Sequence, residues 1–209
     1  MTRSLESLER LIEGNRRFAS GALESANRLG QDRRFELIDN QEPFAIILGC
    51  SDSRVPAEIV FDQGLGDLFV IRVAGNIVAS SQVGSVEFAV ERFGTRLVVV
   101  LGHSKCGAVV ATLEDLRDTD PSHSRHLRAI VDRVRPPVEK LLAERQLWDP
   151  EELVGRAVRA NIEASTEQLK RGSPLLEKLI REDGLMVVGA EYALHTGLVE
   201  FFSGGGETP

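Results

Sequence analysis

The sequence of 209 residues has few cysteines, no excess of positive charge and no long hydrophobic run. Cys50 and Cys106 are its only two cysteines, and their separation fits neither a disulfide framework nor a CxxC redox pair. A net charge of -7 and a pI near 5.2 argue against nucleic acid as a partner. The start "MTRSLESLERLIEG" lacks an apolar signal region, and no later run approaches the roughly 20 residues that span a bilayer. We therefore predict a cytoplasmic protein with a small-molecule partner, no nucleic acid and no membrane.

Hydrophobic residues make up 42% of the chain, which is enough for one sizeable core. Three short apolar runs end in glycine, as strands buried on both faces of a parallel sheet often do: "PFAIILG", "DLFVIRVAG" and "RLVVVLG". The segment "SVEFAVERF" between the second and third runs has helical spacing, which completes a strand-helix-strand unit. A fourth run, "LMVVGAEYAL", is joined through His-Thr-Gly to "LVEFF", which predicts a hairpin at a sheet edge.

The remaining segments are helical by their apolar spacing. We expect an amphipathic N-terminal helical arm over about residues 4–20, which starts with Ser-x-x-Glu. Residues 107–147 read as helix with interruptions at 118–121 and 136–137, and 151–172 form a long helix that ends at glycine. The tail, 203–209, should be loose. We find no repeat and no linker, so we predict one α/β domain over 1–209, with a mostly parallel central sheet, an antiparallel edge strand and flanking helices.

Two of the apolar runs deliver a metal ligand directly after their glycine, "ILGC" at Cys50 and "VLGH" at His103. Open parallel sheets bind ligands at the carboxyl ends of their strands, so these residues should converge if the two strands pair. Cys106 follows His103 at the spacing of a short metal-binding turn, and Asp52 follows Cys50 by two positions. Two thiolates, one imidazole and one carboxylate suit tetrahedral Zn²⁺, one ion per chain, although the residues alone leave cobalt or iron open.

Arg54 stands two positions after Asp52 and can take the same carboxylate in a forked ion pair. When Asp52 is bound to the metal, the site is closed. When Asp52 is bound to Arg54, water can take the fourth position and be acidified to a pKa near 7. A purely structural zinc site needs no such exchange, so we predict a catalytic site in which Asp52 and Arg54 act together.

The pair of motifs "CSDSRVPAE" and "GHSKCGAV" resembles the zinc signature of the β-class carbonic anhydrases. The resemblance extends to "LIEGNRRFASG", "FDQGLGDLFVIRVAGN", "GSVEFAV" and "VVGAEYALHTGLVEF". It implies zinc-dependent, reversible hydration of CO₂ to bicarbonate and a homodimer or homotetramer. It also implies active sites at the subunit interface and an N-terminal helix that packs on a partner. The substrate-binding positions that it implies are Gln41, Phe69, Phe88 and Gly107.

Some members of that family have a second, non-catalytic bicarbonate site built from tryptophan, arginine and tyrosine. Two of those positions match Arg72 and Tyr192, but Ile47 stands in place of the tryptophan. We therefore expect little bicarbonate inhibition and an open site at pH 8. Two alternatives remain: a carbonyl sulfide or carbon disulfide hydrolase on the same scaffold, and a zinc-stabilised binding module without turnover.

Overall fold

A computed structural model describes residues 2–25, 30–117, 124–143 and 147–202. Its centre is a five-stranded sheet in the order β2-β1-β3-β4-β5. The strands are β1 Ala45–Gly49, β2 Leu68–Arg72, β3 Leu97–His103, β4 Met186–Tyr192 and β5 Val199–Phe202. All pairings are parallel except the antiparallel pairing of β4 with β5. This confirms the predicted fold class, including the hairpin at the edge of the sheet.

Helices cover both faces of the sheet, which is why every residue of β1 and β3 is buried. They are α1 Arg3–Ser20, α2 Gln31–Glu36, α3 Ala57–Val60, α4 Ser80–Arg92, α5 Gly107–Asp115, α6 Arg125–Ala143, α7 Pro150–Arg171 and α8 Pro174–Glu182. Helix α7 begins where the Asp149 carboxylate accepts two backbone N–H groups, and it ends at Gly172 as predicted. Within the described ranges, no helix is both long and apolar enough to cross a membrane.

Two helical predictions were incomplete or wrong. Helix α6 runs through Pro136 and Pro137, where we expected an interruption. Its buried side chains, Val131, Val134, Val138 and Leu141, continue on both sides of the prolines, so tertiary packing overrides the local penalty of proline. Helix α8 was not predicted, although its start carries a recognisable signal in which Ser173 caps the helix ahead of Pro174. The interruption predicted at 118–121 and the tail at 203–209 lie outside the described residues.

The N-terminal helix α1 packs on the sheet of its own chain. Leu8 and Leu11 belong to the same core cluster as Ile47 and Val99. Three hydrogen bonds of the Asn15 side chain fix the position of α1. Its amide nitrogen donates to the carbonyls of Val60 at 3.1 Å and Gly197 at 2.9 Å, and its oxygen accepts from the Val199 N–H at 2.8 Å. Leu8 and Leu11 are therefore buried within the chain, whereas Leu5 keeps 39% of its surface exposed. Packing of α1 on a partner subunit stays a prediction.

Candidate metal centre

The three thiol and imidazole side chains named from the sequence meet at one edge of the sheet. Strands β1 and β3 are parallel neighbours with Gly49 opposite Leu101, so Cys50 directly after β1 and His103 at the end of β3 arrive side by side. Cys106 is the N-cap residue of α5. The ligand atoms of Cys50, His103 and Cys106 all lie within 4.8 Å of one another, and all three residues are buried.

The turn between β3 and α5 is held by backbone contacts with β4 and the segment that follows it. The Ser104 N–H donates to the Tyr192 carbonyl at 3.0 Å, and the Ser104 hydroxyl accepts from the Leu194 N–H at 3.0 Å. Gly102, just before His103, allows α7 to approach the strand, because a Cβ atom there would lie 2.4 Å from the Ile162 side chain. Close packing of α7 on β3 therefore requires a glycine at the position before His103.

The histidine is held in a single tautomer. His103 Nδ1 lies 2.9 Å from the Ser104 carbonyl, which can only accept, so Nδ1 carries the proton and Nε2 carries a lone pair. Nε2 is fully buried and has no hydrogen-bond partner among the described residues. Leaving a buried polar atom unsatisfied costs about 1–3 kcal/mol, and a metal ion between the imidazole and the two thiols would satisfy it. The donor set and the orphaned nitrogen therefore fit zinc.

The hydrogen bond between the two thiols moves their pKa values in opposite directions. The hydrogen bond from Cys106 lowers the pKa of Cys50 to about 4, against the opposing effect of burial. The same hydrogen bond, together with burial, raises the pKa of Cys106 far above its ordinary value. Burial alone would lower the pKa of His103, but the adjacent Cys50 sulfur, with its negative charge, raises it. A lowered pKa at Cys50 favours the thiolate form, which is the form that binds a cation.

Asp52 lies beside this cluster and is held by Arg54. The guanidinium donates from Nε to Oδ1 at 2.9 Å and from Nη2 to Oδ2 at 2.7 Å, and the Arg54 backbone N–H also donates to Oδ1 at 3.0 Å. These bonds hold the pKa of Asp52 well below its usual range. Asp52 Oδ2 lies 3.8 Å from His103 Nε2, so the carboxylate is next to the three converging ligand atoms while both of its oxygens face Arg54.

Arg72 supports the loop that carries Cys50 and Asp52. Its Nε donates to the Cys50 carbonyl at 3.0 Å, and its Nη2 donates to the Asp52 carbonyl at 2.6 Å. Tyr192 lies on β4, and strands β1 and β3 separate it from Arg72 on β2. The buried ring of Tyr192 stands 6.3 Å from that of Phe18. A bicarbonate site formed by Arg72 and Tyr192 stays a prediction.

The four predicted substrate positions are not all near the cluster of the same chain. Gly107 begins α5 directly after Cys106. Phe69 lies opposite Ile46, four residues before Cys50, which places it about 13 Å back along the sheet. Phe88 packs on Phe69 with ring centroids 6.2 Å apart and keeps 54% of its surface exposed. Gln41 is exposed in the segment before β1.

Sequence reasoning missed two residues behind Cys50. The Gly75 N–H donates to the Cys50 sulfur at 3.3 Å, and the Asn161 side chain donates to the Gly75 carbonyl at 2.8 Å. Asn161 occupies an apolar-face position of α7 between Val158 and Ile162. The sequence did carry a signal for Asn161, because it is a polar residue at a position where the helical spacing predicts a core residue.

Comparisons with known proteins agree with this geometry. A family model described as carbonic anhydrase matches residues 45–199. The chain is 39% identical over 197 residues to carbonic anhydrase 2 of Mycobacterium tuberculosis, covering 94% of this chain and 91% of that protein. It is 40% identical over 194 residues to the carbonic anhydrase of Mycolicibacterium smegmatis, covering 92% and 90%.

Solved structures extend the likeness to the whole architecture. The β-carbonic anhydrase CafA of Aspergillus fumigatus superposes with a TM-score of 0.76 at 26% identity, covering 96% of this chain and 92% of that one. The Coccomyxa β-carbonic anhydrase, solved in complex with acetazolamide, gives a TM-score of 0.70 at 25% identity, covering 94% and 88%. The chain therefore belongs to the β-class carbonic anhydrases, enzymes of carbon dioxide hydration.

Proposed function

We propose that the chain binds one Zn²⁺ through Cys50, His103 and Cys106 and uses it for the reversible hydration of CO₂. The buried, unpartnered Nε2 of His103, which lies within 4.8 Å of two buried thiol sulfurs, is the observation that carries this proposal. Two thiolates and one imidazole leave a fourth position, which is what separates a catalytic zinc site from a closed structural one.

Zinc, when bound, supplies the Lewis acidity that makes a water molecule a nucleophile near neutral pH. Residues of the chain itself orient the attacking water and contact the product. Asp52, kept ionised by Arg54, is an acceptor beside the three ligand atoms and can hold the remaining proton of the attacking water, which orients its lone pair toward the CO₂ carbon. Gly107 at the N-terminus of α5 offers a backbone N–H and the positive end of a helix dipole to the developing bicarbonate.

Asp52 has a second possible position in this proposal, as the fourth ligand. Arg54 and the metal compete for the same oxygens, so exchange of Asp52 between them would switch the site between open and closed states. The forked pair with Arg54 supports the open state as the resting one. Ile47, in place of the tryptophan of the inhibitory bicarbonate site, supports a simple pH profile with little bicarbonate inhibition.

The working unit in this proposal is a homodimer or a larger homo-oligomer. Phe69 lies about 13 Å along the sheet from its own Cys50, and the exposed Phe88 packs on it, so these side chains would serve as apolar walls only for the site of a second copy. The exposed Gln41 would serve the same neighbour. We further propose a cytoplasmic location, since a reducing compartment keeps both thiols available to the metal.

The test measures zinc content and stopped-flow CO₂ hydration on the same purified samples. The wild type should hold about one zinc per chain and hydrate CO₂ well above the buffer rate. Cys50→Ser, His103→Ala and Cys106→Ser should each lose the metal and the activity. Ser53→Ala, an exposed position in the same loop, is the matched control and should keep both.

Two results would contradict the proposal and distinguish the alternatives. One zinc per chain without hydration in the wild type, but with hydrolysis of carbon disulfide, would favour the sulfur substrate. One zinc per chain without either reaction would favour a zinc-stabilised binding module. Full zinc and full rate in any of the three ligand variants would remove that residue from the site.

A further inference from the structure

The sulfur of Cys50 receives a hydrogen bond from a backbone turn that belongs to neither metal motif. The donor is the N–H of Gly75, 3.3 Å from Cys50 Sγ, in the short 3₁₀ turn Ala74–Asn76 that follows β2. Gly75 has φ +71°, and a Cβ atom added there would lie 3.0 Å from the Ala108 methyl group. The turn is therefore closely packed against α5 and adopts a conformation that few residues other than glycine tolerate.

A buried side chain on α7 holds this turn. Asn161 is only 2% exposed, and its amide nitrogen donates to the Gly75 carbonyl at 2.8 Å across 86 positions of sequence. Ala157, Val158 and Ile162 beside it on the buried face of α7 are apolar, and the polar Ser165 follows one turn later. Burying a side-chain amide in a largely apolar face costs free energy unless the amide makes a hydrogen bond. The hydrogen bond to the Gly75 carbonyl offsets that cost for Asn161.

We propose that Asn161 is a positioning residue for the metal centre, which aims the Gly75 N–H at the Cys50 sulfur. The inference rests on the proposed zinc function and deepens it. The N–H dipole stabilises negative charge on the sulfur and sets how strongly this ligand donates to the metal. Without the Asn161 contact, the Gly75 carbonyl is buried and unpaired, and the turn is free to rotate its N–H away from the sulfur.

The same helix offers a control at a more exposed position. Gln168 is also on α7, and its amide nitrogen donates to the Val78 carbonyl at 3.3 Å, just beyond the same turn. Removing either amide loses one hydrogen bond between α7 and this segment, but only Asn161 is linked to Cys50. Loss of an outer hydrogen-bond partner typically weakens metal binding about 10- to 100-fold.

The experiment compares the wild type, Asn161→Leu and Gln168→Leu. Zinc affinity is measured by competition with a chromophoric chelator, and the thiolate-to-metal charge-transfer band is recorded on the Co²⁺ forms. Urea unfolding of the metal-free proteins reports any general loss of stability. Asn161→Ala, which removes the amide donor without adding a charge, is the second variant if Asn161→Leu does not fold.

The expected result is that Asn161→Leu weakens zinc binding about tenfold or more and shifts the Co²⁺ charge-transfer band, while Gln168→Leu leaves both close to the wild type. Equal zinc affinity and identical Co²⁺ spectra in the wild type and the Asn161 variant would overturn the positioning role while the zinc proposal stands. Equal losses in both leucine variants would reduce Asn161 to a general packing residue. Failure of the wild type to bind zinc at all would overturn both proposals.

Discussion

Replacing Gly102 by alanine adds a single methyl group immediately before His103, and we expect it to disturb both stability and the metal site. The new Cβ would lie 2.4 Å from both Cγ1 and Cδ1 of Ile162. Carbon atoms prefer separations of about 3.5–4.0 Å, so something must move by more than about 1 Å. Strand β3 is paired on both sides, with β1 and with β4, which leaves Ile162 and helix α7 to give way.

Overpacking of this kind costs about 1–3 kcal/mol of the free energy of unfolding. Gly155→Ala is the internal comparison, because it makes the same chemical change on α7 at a position with no described atom within 4 Å of the added Cβ. Alanine in an open helical position should stabilise the protein by about 0.5–1 kcal/mol. The two glycine-to-alanine variants should therefore shift the urea midpoint of the metal-free protein in opposite directions.

A double-mutant cycle identifies the clash. In an Ile162→Ala background the two offending carbons are gone, so the added methyl at Gly102 should cost much less, with a coupling energy of about 1 kcal/mol or more. Zinc affinity should fall in Gly102→Ala, because displacement of α7 moves Asn161, whose contact with Gly75 supports the N–H that donates to Cys50. An unchanged urea midpoint in Gly102→Ala, or a cost that Ile162→Ala does not relieve, would refute the packing argument.

Three further outcomes are expected. Arg54→Ala should keep its zinc and lose most of its CO₂ hydration, because Asp52 then has no partner away from the metal; an active variant by stopped flow with full zinc would contradict the gating role. Asp62→Asn should lower the free energy of unfolding at pH 7 by about 2 kcal/mol. Although burial alone would raise the pKa of Asp62, its hydrogen bonds with Arg17 and nearby N–H groups lower it to about 2, so its stabilising effect is complete above the ordinary carboxyl pKa and disappears as the pH falls through about 2. Urea titrations at several pH values should show the difference from wild type shrinking in acid, and a difference independent of pH would count against it. Phe88→Ser should lower kcat/KM for CO₂ without loss of zinc if the ring lines a partner's site, and an unchanged kcat/KM would assign it to packing alone.

Local patterns along the chain were sufficient to predict the architecture and the elements of the metal centre. Apolar runs ended by glycine marked three parallel strands, and their order and spacing placed Cys50 and His103 at one sheet edge. These predictions succeed because strand burial, helical periodicity and capping are properties of short segments. Where a local rule failed, as at Pro136 and Pro137, the apolar face of α6 outweighed the penalty of proline.

Only the tertiary structure could decide which groups surround those elements. Asp52 and Arg54 were predicted to pair, but the free Nε2 of His103 depends on the contact of Nδ1 with the Ser104 carbonyl in the turn after β3. The contacts of Arg72 with the Cys50 loop and of Asn161 with Gly75 join residues 22 and 86 positions apart. Such contacts depend on the register of the strands and on where α7 packs against the sheet, and no local sequence pattern encodes either. A single hydrogen bond leaves no periodic signal in the sequence, so the support of the metal centre emerges only when the chain is folded.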